Sequence, residues 1–175
     1  MVDVCQAFSA ALQTDSCQGL LKISKQLWTS ASKNPDQSNK ITSRALRACL
    51  APDDALSIPK FIAFLGQLSS TCSEGSSFET MKIIFSELSD SCRNSVACIR
   101  IRALTFLQTM LSHIPPHLMD SDLSCSLQAV LSQRLSDKDA KARRMAVIAL
   151  GSLVPMLQAG NIASYNSVVA CITDA

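Results

Sequence analysis

Apolar residues along this chain recur at steps of three and four, the spacing that collects side chains on one face of an α-helix. The clearest stretch is 131–153, LSQRLSDKDAKARRMAVIALGSL. Leu131 and Leu135 precede a short polar run, Ser136 to Asp139, after which Ala142, Ala146, Ala149, Leu150 and Leu153 share one face. The pattern predicts a helix, a tight turn and a second helix whose Ala-rich inner face permits close packing. Asp137 and Asp139 suit the cap and the positive dipole end of that second helix.

The same alternation runs through the rest of the chain. A helix is predicted over 3–13, with Val4, Phe8, Ala11 and Leu12 on one face, followed by a turn at Thr14–Ser16 and a helix over 16–32 carrying Leu20, Leu21, Ile23, Leu27 and Trp28. Pro, Asp and Asn make 33–39 a loop. Helix 40–50 turns Ile41, Ala45, Leu46 and Cys49 inward and Lys40, Arg44 and Arg47 along one outer stripe. Pro59 starts a helix over 58–72 that is apolar nearly all round, and 73–77 is a linker. Ser77, with Glu79 and Thr80, caps a helix over 77–91. Helices over 94–114 and 121–135 follow, then an eighth that runs to about Leu157, with Pro155 kinking or ending it. A ninth is predicted over 162–172.

Two of these hairpins are copies. Ile99-Arg100, Ala103, Phe106-Leu107 and Met110 recur as Ala142-Arg143, Ala146, Ala149-Leu150 and Leu153, an offset of 43 residues from Ile99 to Ala142. Asn94 stands where the second copy has Asp137. The units 77–114 and 121–157 therefore mark a repeat architecture, all-α, of stacked helical hairpins: about four, the last incomplete. An array ending on an unpartnered helix is expected to be the N-terminal piece of a longer protein, or a truncated product, with 1–175 a single segment.

Composition agrees with long helices: aromatics are few, and 175 residues include only five Gly and six Pro. The net charge of +2 is bland, but it is uneven. Residues 93–144 hold eight basic side chains against four acidic ones, whereas 58–92 hold two against four. The eight cysteines are scattered without a CxxC pair, and are expected to be reduced core thiols of an intracellular protein. No run of about 18 apolar residues could cross a membrane. His113 and His117 are four apart, but Pro115 and Pro116 break any helix that would present both to a metal. No Gly-rich phosphate loop, metal set or nucleophile with a base at readable spacing appears. The expectation is a non-enzymatic protein without cofactor or metal.

The spacing of Asp137, Ala142-Arg143, Ala146, Ala149-Leu150 and Leu153 resembles the second-helix signature of HEAT repeats, in which the Asp and Arg form a ladder between neighbouring turns. A more specific resemblance covers 94–157. The start IRIR at Ile99–Arg102, the body LTFLQTML at 104–111, the acidic pair Asp120/Asp122, the turn LSQRLSDK at Leu131–Lys138 and the run RRMAVIAL at Arg143–Leu150 are similar to the N-terminal HEAT region of the CAP-G family of condensin subunits (condensin complex subunit 3). Ala142 departs from that family's usual Val, and residues 1–92 match in the number and order of helices only. The resemblance implies an α-solenoid of HEAT-like hairpins that binds the condensin kleisin and, through it, the SMC ATPase subunits. It also implies double-stranded DNA held by its backbone, in the nucleus on condensed chromosomes and in the cytoplasm. The alternative is a generic HEAT or armadillo scaffold for transport, phosphatase or microtubule partners.

Stacking would turn equivalent basic positions into a stripe. Candidate phosphate contacts are Arg100, Arg102, Arg134, Lys138, Lys141 and Arg144, with Lys40, Arg44 and Arg47 on the earlier helix; the bland role for the last three is solvated charge. For Arg100 and Arg143 a second role is open, as internal ladder residues paired with Asn94 and Asp137.

Overall fold

The computed structural model describes residues 16–33, 35–51 and 58–158, with residues 10, 11, 13, 166 and 170 besides. The helices predicted over 3–13 and 162–172 lie outside the described residues except at those five positions, which are helical. Every regular element among those described is helical: α1 (Cys17–Lys33), α2 (Pro35–Leu50), α3 (Ile58–Ser70), α4 (Ser76–Ser91), α5 (Ala97–His113), a 3₁₀ turn (Pro116–Leu118), α6 (Ser121–Arg134) and α7 (Ala140–Gln158). The chain forms two compact units, 1–87 and 88–175, divided inside α4.

In the first unit α1 packs against α2 and α3. Ser16 opens α1 by accepting the Gly19 N–H at 2.9 Å, the capping bond expected of a Ser just before an apolar run. Leu27, Trp28, Leu46, Phe61, Phe64, Leu65 and Leu68 form the core, and the Trp28 indole N–H, buried with its ring, donates to Thr71 Oγ1 at 3.2 Å. The segment expected to be a loop, 33–39, is mostly helix, because α2 already begins at Pro35. Pro and Asp read as loop formers, yet they also favour a first turn, where proline's missing N–H costs no bond and Asp36 meets the positive dipole end.

The linker after α3 is short. Gly75 takes φ +90°, and Ser77 reaches back, donating to the Ser73 carbonyl at 2.6 Å and accepting the Ser73 N–H at 3.2 Å. Ser77 therefore closes the turn from inside α4, which starts at Ser76, and is not the cap the sequence suggests.

In the second unit α7 packs along α5 and against α6. Ala142, Ala146, Ala149, Leu150 and Leu153 are fully buried, as are Leu104, Phe106, Leu107 and Met110 of α5 and Leu127 and Leu131 of α6. Small residues on the face of α7 let a single helix lie close to two neighbours. Asp120 caps α6 by accepting the Leu123 N–H at 2.8 Å. The 43-residue offset recurs in the element bounds. The first helices end at Ser91 and Arg134, the second begin at Ala97 and Ala140. The fold is all-helical and consistent with a helical repeat.

Pro155 neither ends nor breaks α7, which runs to Gln158. Cysteine burial is mixed. Cys49, Cys72 and Cys92 are buried as expected, but Cys98 and Cys125 are exposed. Burial pushes the Cys72 thiol up to about 11 and the Cys92 thiol up to about 12, so both stay protonated at neutral pH. Cys5, Cys17 and Cys171 fall outside the described side chains.

Two glycines test the backbone argument with opposite signs. A Cβ added at Gly151, exposed in mid-helix, meets nothing within 4 Å, so Gly151→Ala is expected to stabilise the chain by about 1 kcal/mol. The same substitution at Gly75 also meets open space, but its φ of +90° suits only glycine, and a loss of about 1 kcal/mol is expected. Chemical denaturation of both variants against the parent chain measures this.

Candidate functional site

The polar centre of the second unit is the turn between α6 and α7. Its Asp137 side chain is 1% exposed, and a carboxylate that deep needs partners for both oxygens. Arg100 of α5 supplies two in fork geometry, Nε to Oδ2 at 2.8 Å and Nη2 to Oδ1 at 2.7 Å. Arg134 at the end of α6 adds Nη1 to Oδ2 at 3.2 Å, and the Asp139 N–H donates to Oδ1 at 3.0 Å. The Arg100 hydrogen bonds, ahead of the other contacts, hold the Asp137 carboxyl down at about 2. The same pairing raises the Arg100 guanidinium above its ordinary value.

The remaining arginine donors bind turn carbonyls, and here the repeat is literal. Arg100 Nη1 donates to the carbonyls of Asn94 at 3.0 Å and Ser95 at 2.9 Å, six and five residues back. Arg143 Nη1 donates to those of Asp137 at 2.9 Å and Lys138 at 3.3 Å, again six and five back. Asn94 Oδ1 accepts the Val96 N–H at 2.9 Å, as Asp137 Oδ1 accepts that of Asp139. Asp139 itself caps α7, accepting from the Lys141 and Ala142 amides at 2.8 and 3.0 Å.

This arrangement reassigns several predicted residues. Arg100 is 9% exposed and spends its donors on Asp137 and the first turn, so it is withdrawn from any phosphate-facing stripe. Its side-chain partner is the Asp of the following repeat, and Asn94 contributes its carbonyl. Arg134 is half-buried against Asp137, and Arg102 is half-buried on α5. Lys138, Lys141, Arg143 and Arg144 are exposed around the start of α7, with Arg143 tethered through Nη1. In the first unit Lys40 and Arg44 are exposed, but Arg47 grips Glu87 at 2.7 and 2.9 Å, and that bond holds the Glu87 carboxyl below its ordinary range. The outer stripe expected of Lys40, Arg44 and Arg47 thus has one member engaged in an ion pair. His113 Nδ1 donates to the Thr109 carbonyl at 2.8 Å, and no group of three or more potential metal ligands occurs among the described residues.

The Arg100–Asp137 pair leaves no local pattern along the chain, since its partners are 37 residues apart. One signal was present: Asn94 is neutral where the other copy has Asp137, so the first copy's arginine lacks a carboxylate in its own turn.

Because the folded-state carboxyl lies below its ordinary 3.8, its contribution is complete above pH 4 and vanishes as pH falls through 2. The shift corresponds to about 2 kcal/mol, readable as an acid limb in the stability of the parent chain that Asp137→Asn lacks. At neutral pH Asp137→Asn strands a buried guanidinium, with an expected loss of about 3 kcal/mol and a fall in Tm of roughly 10 °C. Calorimetry checks both.

No protein-family model and no curated protein matches the sequence. Two crystal structures of engineered proteins from the Northeast Structural Genomics Consortium are similar in backbone. One is 15% identical with a TM-score of 0.46, over 98% of this chain and 78% of its own. The other is 16% identical with a TM-score of 0.46, over 98% of this chain and 70% of its own. Likeness at that score carries no argument about fold or function.

Proposed function

We propose that this chain is a non-enzymatic HEAT-type interaction segment of a condensin subunit of the CAP-G kind, engaging the kleisin and duplex DNA in support of chromosome condensation. The observation that carries the HEAT reading is the turn arginine, repeated at Arg100 and Arg143 with the same pair of backbone carbonyls. The condensin reading rests on the residues of 94–157 that resemble that family.

The DNA part rests on the exposed cations at the start of α7. Lys138, Lys141 and Arg144 make no ion pair among the described residues, while Asp137 beside them is neutralised by Arg100 and Arg134. Asp139 already takes the first amides of α7, so the contribution left to phosphates is the net positive charge of these side chains, which is indifferent to base sequence.

Two measurements test the proposal. Recovery of the kleisin and SMC subunits with the tagged chain from dividing-cell extract, identified by mass spectrometry, supports the condensin assignment. Recovery of other partners without them points to a different scaffold. For DNA, the chain is expected to bind duplexes of unrelated sequence equally, with a slope of log affinity against log salt of about −3 for three phosphate contacts. Replacing Lys138, Lys141 and Arg144 together by Glu abolishes that binding with Tm unchanged; unaltered binding removes these residues from the interface.

A further inference from the structure

Arg100 joins the turn before α5 to the turn before α7, and a cleft of about 320 Å³ opens beside it, lined by Ser95, Gln133, Arg134, Ser136 and Lys138 together with the Arg100–Asp137 pair. Its charges do not cancel. Three cations, Arg100, Arg134 and Lys138, stand against the single carboxylate of Asp137, whose two oxygens already accept four hydrogen bonds. The other carboxylate nearby, Asp139, is engaged by the first amides of α7.

The donors are not used up either. Arg134 gives Nη1 to Asp137 and keeps part of its guanidinium-bearing side chain exposed, although its Nε is closed off from the cleft. Lys138 is exposed with its ammonium uncommitted among the described residues. Ser95 and Ser136 bring hydroxyls from the two turns and Gln133 an amide, so donors come from α6 and from both turns.

We infer that this cleft is an oxyanion site that takes a phosphate group. An apolar ligand would leave its lining unsatisfied and a cation would meet surplus positive charge, whereas a tetrahedral phosphate offers acceptors in several directions at once. The phosphate is either free inorganic phosphate or a phosphodiester of duplex DNA. The inference does not need the DNA reading, because free phosphate suffices to fill the site.

The test is a titration of the isotopically labelled full chain with inorganic phosphate at constant ionic strength, followed by NMR. Saturable shifts confined to Ser95, Gln133, Arg134, Ser136 and Lys138 are expected. Lys138→Gln, which breaks no bond of the fold, should weaken binding about tenfold at unchanged Tm. Arg134→Gln should weaken it as well, with a lower Tm from the lost Asp137 bond. Shifts that never saturate, or that are as large at Lys22 and Lys25 of α1, overturn the site. A duplex that displaces phosphate from the same residues identifies the ligand as a backbone phosphodiester. Phosphate binding undisturbed by duplex establishes a free-oxyanion site and removes this turn from the DNA interface.

Discussion

A carboxylate with 1% of its side chain exposed is the constraint around which the second unit is arranged. Asp137 could not be there charged without Arg100, and Arg100 could not be buried without Asp137; each removes the desolvation penalty of the other. The pair also satisfies groups that neither helix can satisfy alone. Arg100 takes up two carbonyls of the turn ahead of α5, while Asp137 holds the Asp139 amide and so sets the turn from which Asp139 caps α7. One ion pair thus fixes the geometry of two inter-helix turns and the point at which α7 begins.

Around that node the packing is simple. The alanines of α7 make it thin enough to lie on both α5 and α6, and larger side chains from those helices, Phe106 and Met110 among them, supply the bulk. Hydrophobic burial provides the driving force and is largely indifferent to register. Register comes from the polar turns, where each bond has one geometry. This division explains why the 43-residue offset is sharp at the helix ends that abut the turns, Ser91 and Arg134, Ala97 and Ala140, even where the apolar residues between them differ in size.

Much of this was legible in the sequence because helices write their burial into steps of three and four. The inner faces of α5 and α7, the Asp139 cap and the repeat itself follow from local pattern. What local pattern could not carry was choice between two meanings of one composition. Pro35 and Asp36 suit a loop and a first helical turn equally, and only the packing of α2 against α1 selects the latter. Cys98 and Cys125 occupy small-residue positions that turn out to face solvent. Arg100 is open in the sequence to a phosphate-facing role or to a ladder role with Asn94 because its counter-charge belongs to the next turn, and no periodicity within one hairpin announces a partner in another.

The reach of that bond sets where the chain can be divided. Arg100 and Asp137 lie on either side of the 3₁₀ turn and the whole of α6. An engineered boundary anywhere between residues 114 and 136 would separate the Arg100 guanidinium from the carboxylate it binds, although that interval contains the loop around the 3₁₀ turn. The hairpins visible in the sequence are therefore not the interchangeable modules they resemble: the smallest piece that keeps its charges matched spans a full hairpin plus the turn of the next.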